Sequence, residues 1–338
     1  MTGVQTCALP IYLDLLDNVV GRLVAARKGA SGWTQADIAL PANGSLNIVS
    51  TDGNSTDVLV NYTNFLQPDT LYILEKGGTP QAIKSLPARF DASGLTAEQR
   101  FAVSKDGTRV PYFIVHKKDM KLNGDNPTLL YGYGGFEISM TPSYMSVFGK
   151  AWLEQGGAYV VANIRGGGEF GPRWHQAALK ANRQRAYDDF QAVAEDLIKT
   201  KVTKPARLGI QGGSNGGLLT GVTMTQRPDL FGAVIVAVPL LDMMRYHTML
   251  AGASWMGEYG DPEKADERAW IAEYSPYQNI ARDVKYPEAF VYTSTKDDRV
   301  HPGHARKFVA RLESQGHKVM YYENMEGGHS AAANLKQR

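Results

Sequence analysis

Six residues, Gly212-Gly213-Ser214-Asn215-Gly216-Gly217, separate a short apolar run at 207–211 from a helix-favouring stretch at 218–224. The run reads as a buried strand, so a serine sits where strand becomes helix. Glycines on both sides let the backbone turn sharply and leave no side chains where the helix crosses the strand. The chain is thereby confined to folds in which a buried strand feeds directly into a helix.

The pattern after about residue 88 extends that constraint. Strand-like runs at 128–131, 158–164, 208–211, 233–238, 289–293 and 319–322 alternate with amphipathic helices. In one helix Tyr187, Phe190, Val193, Ala194, Leu197 and Ile198 share a face. Such alternation predicts a doubly wound, mostly parallel sheet, with its ligand site beyond the carboxyl ends of the strands. Strand, G-x-S-x-G, helix is then the nucleophile elbow of α/β-hydrolases. Residues 12–87 differ: short β runs at 46–50, 57–62 and 70–74 are punctuated by Asp52-Gly53-Asn54, Pro68-Asp69 and Gly77-Gly78. Three or four strands cannot bury two faces alone, so this part belongs to a larger β architecture.

Composition narrows the function classes. With 338 residues and 43% hydrophobic content, a sizeable globular core is available. The net charge of +2, with both signs interspersed, offers no basic face for nucleic acid. The longest apolar run, 231–241, is too short to span a bilayer and contains Pro239. The single cysteine, Cys7, excludes an intrachain disulfide. It lies in residues 1–11, which resemble a translated sequencing adapter read from a GTG start and are set aside as an artefact. The expectation is that the true N-terminus is missing, and that the chain is soluble and either cytoplasmic or periplasmic.

A serine hydroxyl is a weak nucleophile and needs a base, usually a histidine oriented by a carboxylate. On this fold the acid and then the histidine follow the serine in the chain. The run 290–294 exits into Thr295-Lys296-Asp297-Asp298-Arg299-Val300, where Asp297 and Asp298 compete for the acid's place, each otherwise a cap for a helix over 301–315. The last strand leads into Gly327-Gly328-His329, a fitting position for the base. His304 and His317, in or beside a predicted helix, are expected to face solvent. His301 and His304 are spaced as a metal pair would be, but no third ligand is evident. One oxyanion donor is built into the elbow, the backbone N–H of Asn215. A second is expected from Gly132-Tyr133-Gly134-Gly135-Phe136, whose glycines permit close approach to a substrate and lack the spacing of a dinucleotide fingerprint.

Together, Tyr131-Gly132-Tyr133-Gly134-Gly135-Phe136, Ala162-Asn163-Ile164-Arg165-Gly166-Gly167-Gly168-Glu169, the serine elbow, Gln226-Arg227-Pro228-Asp229-Leu230-Phe231-Gly232 and Asp297-Asp298-Arg299-Val300 resemble the prolyl oligopeptidase family over roughly residues 55 to 335. The resemblance implies a seven-bladed β-propeller and an α/β-hydrolase domain that cuts short peptides after proline. It implies last-blade propeller material at 12–87 and a C-terminally truncated catalytic domain at 88–338. It assigns Ser214 as nucleophile, Asp297 as orienting acid, His329 as base, and Tyr133 as the side-chain oxyanion donor beside Asn215. Trp255 matches the ring that stacks on proline, which suits a flat indole facing a flat apolar ring. Phe136, Tyr259, Val300 and Leu240 resemble further pocket walls, and Arg299 matches the arginine that holds a substrate carbonyl. Arg165 and Glu169 are expected to brace their loop. No metal or organic cofactor, nucleic-acid partner or membrane partner is implied, and the parent is expected to be a monomer.

The rivals are a related peptidase of other specificity, a dipeptidyl peptidase or one cutting after basic residues, an esterase on the same fold, and a remnant inactive by itself. Trp255 argues against a pocket for basic residues, and an esterase needs neither Trp255 nor Arg299.

Overall fold

The computed structural model describes residues 9–334. Residues 1–8 of the segment set aside above, Cys7 included, lie outside the described residues. The chain divides into two compact units, Met1–Glu98 with Thr141–Gln155, and Gln99–Met140 with Gly156–Arg338.

The first unit is antiparallel. Strands β1 (Ile11–Asp17), β2 (Val20–Gly29) and β3 (Gly32–Ile38) form one sheet. Strands β4 (Gly44–Thr51), β5 (Val58–Asn64), β6 (Thr70–Leu74) and β7 (Gln81–Ser85) form a four-stranded meander, the shape of a propeller blade. Leu23 from the first sheet and Val58, Val60 and Leu74 from the second share a small core. The segment Thr141–Gln155 is fastened here: Ser45 Oγ donates to the Pro142 carbonyl at 2.6 Å, and the Tyr144 and Phe90 rings stack at 5.2 Å.

The second unit is built on an eight-stranded sheet completed by β8 (Leu95–Val103), β9 (Arg109–Lys117), β10 (Thr128–Gly132), β11 (Ala158–Ala162), β12 (Leu208–Gly213), β13 (Ala233–Ala237), β14 (Glu288–Ser294) and β15 (Val319–Asn324). Their order is β15-β14-β13-β12-β10-β11-β9-β8. Six strands, from β15 through β11, pair in parallel, and β9 runs antiparallel to β11. This is the doubly wound sheet of an α/β-hydrolase, and each parallel strand falls on one of the apolar runs read from the sequence. The order reverses between β10 and β12, which opens a crevice at their carboxyl ends.

Helix Gln184–Lys199 buries Tyr187, Phe190, Val193 and Leu197 in the main core, as its apolar stripe requires. Helix Gly303–Ser314 does the same with Phe308 and Leu312, and with His304. His304 is therefore not on the solvent face, in contrast to the sequence expectation. It is 1% exposed, and its Nδ1 accepts the backbone N–H groups of Leu241 and Asp242 at 3.1 and 3.0 Å. Burial pushes its pKa down to about 3, with Lys307 adding to the effect. His317 is half-buried, with Nε2 3.0 Å from the Ala281 carbonyl.

Candidate active site

The elbow forms at the end of β12. Ser214 has φ 59° and ψ −117°, outside the regions an L-residue prefers, and its N–H is held by the Ala237 carbonyl at 2.9 Å. A Cβ on Gly216 would come within 2.7 Å of the Gly132 carbonyl, and one on Gly217 within 2.7 Å of the Ala237 carbonyl. No other residue type fits at either place. Helix Asn215–Gln226 starts at once, with Leu218 N–H bonded to the Ser214 carbonyl at 3.1 Å. The Asn215 N–H lies in the first turn, where helices leave amides without an intrahelical acceptor.

Tyr133 follows β10, the parallel neighbour of β12, which leads into Ser214. Burial holds the Tyr133 phenol above its ordinary pKa, opposed by the positive charges of Arg299 and Arg183. The group remains a protonated donor.

Asp297 follows β14 and His329 follows β15. Asp297 Oδ2 is 2.8 Å from His329 Nδ1, while Oδ1 accepts the backbone N–H groups of Arg299 and Val300 at 3.0 and 2.9 Å. The Asp297 side chain is fully buried, whereas Asp298 is exposed. Of the two competing acids only Asp297 meets the histidine. Among the described residues Ser214 and His329 are not joined by a hydrogen bond; such contacts commonly tighten only around a bound substrate.

Phe136 and Trp255 are partly buried against the main core, and Arg299 is exposed. Leu240, Tyr259 and Val300 are 2%, 0% and 2% exposed. These three stand behind the surface, with Tyr259 supporting Phe136 edge-on at 5.7 Å. Arg165 is buried and holds Asp189 with both Nε and a terminal nitrogen, at 2.9 and 2.6 Å, and also pairs with Asp106. Glu169 Oε1 accepts the Met140 N–H at 3.0 Å, and burial raises the pKa of its carboxyl. Among the described residues no group of three or more His, Cys, Asp or Glu could hold a metal ion, and His304 Nδ1 is taken by backbone amides.

The sequence reading passed over a buried polar cluster beneath the elbow. Arg183 reaches Glu258 Oε1 at 3.0 Å and Asn215 Oδ1 at 2.7 Å. Asn215 Nδ2 donates to the Tyr133 carbonyl at 2.6 Å, and Tyr259 Oη donates to Asn215 Oδ1 at 2.7 Å. Glu258 also accepts the Phe136 N–H at 3.0 Å and lies 2.7 Å from His175 Nε2. Arginine and glutamate in sequence read as solvated, since burial of either is rare without a partner.

A profile of the prolyl oligopeptidase family matches residues 143–338. An uncharacterized peptidase of Sinorhizobium fredii is 56% identical over 97% of this chain and 45% of its own length. A prolyl endopeptidase of Elizabethkingia miricola is 38% identical over 91% of this chain and 44% of its own. The solved structure of a post-proline cleaving enzyme from Rickettsia typhi superimposes with a TM-score of 0.89 at 41% identity, covering 98% of this chain and 48% of that one. The chain thus spans about half the length of the relatives it matches. Among the described residues no helix is long and apolar enough to cross a membrane.

Proposed function

The chain belongs to the prolyl oligopeptidase family, and from that premise we propose that it carries the catalytic machinery of a serine peptidase that cleaves short peptides on the carboxyl side of proline. Residues 88–338 are the peptidase domain in this reading, and residues 12–87 are propeller material. The observation that carries it is the hydrogen bond between Asp297 and His329, at the same end of the sheet as Ser214 and Tyr133. The names borne by two relatives, prolyl endopeptidase and post-proline cleaving enzyme, support proline as the residue recognised.

In the proposed reaction Ser214 Oγ attacks the carbonyl carbon while His329 Nε2 takes its proton. Asp297 Oδ2 accepts from Nδ1–H, which leaves Nε2 as the base and stabilises the imidazolium that forms. The tetrahedral oxyanion receives the Tyr133 hydroxyl and the Asn215 N–H. The C–N bond then breaks, the amine leaves with the proton from His329, and Ser214 is left as an ester. Water, deprotonated by His329, hydrolyses that ester and restores the serine. Phe136 and Trp255 supply the apolar surface for the proline ring, backed by Leu240, Tyr259 and Val300. Arg299 binds a substrate carbonyl upstream of it.

The test is hydrolysis of chromogenic amides and esters differing only in the acyl residue. Proline amides are the expected substrates, with Ser214→Ala abolishing turnover. Preference for arginine, or ester cleavage without proline-amide cleavage, overturns the reading.

A further inference from the structure

We propose that Arg183 is a positioning residue that locks the two oxyanion donors to each other through the side chain of Asn215. This rests on the peptidase reading above.

Asn215 has two separate jobs in the geometry. Its backbone N–H is one donor, and its side-chain Nδ2 holds the carbonyl of Tyr133, whose hydroxyl is the other donor. One amide group therefore links the residues that carry both donors. That amide is symmetric enough to flip, and a flip would put an oxygen against the Tyr133 carbonyl. Arg183 prevents it. Its guanidinium bonds Asn215 Oδ1 at 2.7 Å, and Tyr259 Oη donates to the same oxygen at 2.7 Å. With two donors on Oδ1, Nδ2 can only face Tyr133.

Arg183 is 1% exposed, so its own place must be enforced. Glu258 enforces it, 3.0 Å away and 5% exposed. The same Glu258 oxygen accepts the N–H of Phe136, a proposed pocket wall. The ion pair thus ties the wall of the proline pocket to the oxyanion hole. A buried ion pair is a poor way to gain stability, because desolvation offsets most of the attraction. Orientation of Asn215 is what an apolar pair of the same volume could not supply.

The deciding experiment separates positioning from simple core support. Removing one charge leaves the other buried and threatens the fold, so both are removed together in Arg183→Met/Glu258→Gln, in the whole chain. The glutamine oxygen still accepts from Phe136. Thermal unfolding checks that the variant is folded. The expected result is kcat for a proline amide lowered roughly 10- to 100-fold, less than the roughly 10²- to 10³-fold that outright loss of one oxyanion donor costs. KM stays within about threefold, since the ground state uses the donors little. Affinity for a peptide aldehyde, whose adduct with Ser214 carries the oxyanion, falls with kcat. A folded double variant with kcat within about twofold of the parent overturns the inference. If the double variant does not fold, Asn215→Asp decides, since it keeps a partner for Arg183 but removes the Nδ2 donor that holds the Tyr133 carbonyl. A severalfold loss of kcat at constant KM supports positioning, and an unchanged kcat overturns it. A parent inert toward proline amides overturns the peptidase reading and this inference with it, whereas an active parent with an unaffected variant overturns this inference alone.

Discussion

Asp297 and His329 share a hydrogen bond of 2.8 Å between Oδ2 and Nδ1, and the other carboxylate oxygen of Asp297 is fixed by two backbone amides. The carboxylate cannot rotate without breaking all three bonds. It therefore specifies the histidine tautomer as well as its position. Asp297→Asn retains the shape but can present an amide N–H to Nδ1, which favours the tautomer with Nε2 protonated. The expected loss of kcat is on the order of 10⁴-fold, with little change in thermal stability. Steady-state kinetics beside a melting curve check this; a loss below tenfold would show that Asp297 does not set the tautomer.

Tyr133 tests the second oxyanion donor. Its phenol is partly buried, which holds its pKa above the ordinary value, so it stays protonated. Tyr133→Phe removes the hydroxyl and leaves the Asn215 N–H in place. Loss of one such donor costs about 2.7–4 kcal/mol in the transition state, or roughly 10²- to 10³-fold in kcat. KM should hardly move. An unchanged kcat removes Tyr133 from the oxyanion hole.

Trp255 tests specificity separately from chemistry. It is partly buried against the core, in the segment that also carries Glu258 and Tyr259. Trp255→Ala is expected to lower kcat/KM for a proline amide by about 10- to 200-fold, the worth of a lost apolar contact of a few kcal/mol. Labelling of Ser214 by a small fluorophosphonate should continue at close to the parent rate. Equal losses in both assays would mean that Trp255 supports the elbow rather than the proline ring.

The elbow and the six parallel strands were legible because each leaves a local mark, whereas the choice of Asp297 over Asp298 rested on the family resemblance. Glycines flank Ser214 where backbone approaches backbone, and strands buried on both faces read as continuous apolar runs. The rest lacked such marks. Strand β9 is buried along most of its length, but Pro111 reads as a strand breaker. Strand β3 is exposed at nearly every position and β8 is polar through its middle, so neither shows an apolar run. His304 did carry a signal: it precedes Phe308 and Leu312 by one and two steps of four, which places it on their buried face. Arg183 and Glu258 are far apart in sequence and meet only in the fold, so no local pattern could pair them.

His304 gives the last expectation, a dependence of stability on pH. Its folded pKa of about 3 lies below the ordinary histidine value because the ring is buried and its Nδ1 is occupied as an acceptor. Between those two values the unfolded chain binds the extra proton and the folded chain does not, so stability rises with pH and is lost as pH falls. Its contribution is intact above the unfolded pKa, near 6.5. From pH 7 to pH 5 one such group removes about 2 kcal/mol. His304→Leu should be less stable at pH 7 by about 1–3 kcal/mol, because two buried amides lose their acceptor. It should also lose less stability than the parent between pH 7 and pH 5, since its side chain has no proton to gain. Urea unfolding of both proteins at the two pH values measures the difference directly. Parallel losses in parent and variant would show that some other group carries the acid sensitivity.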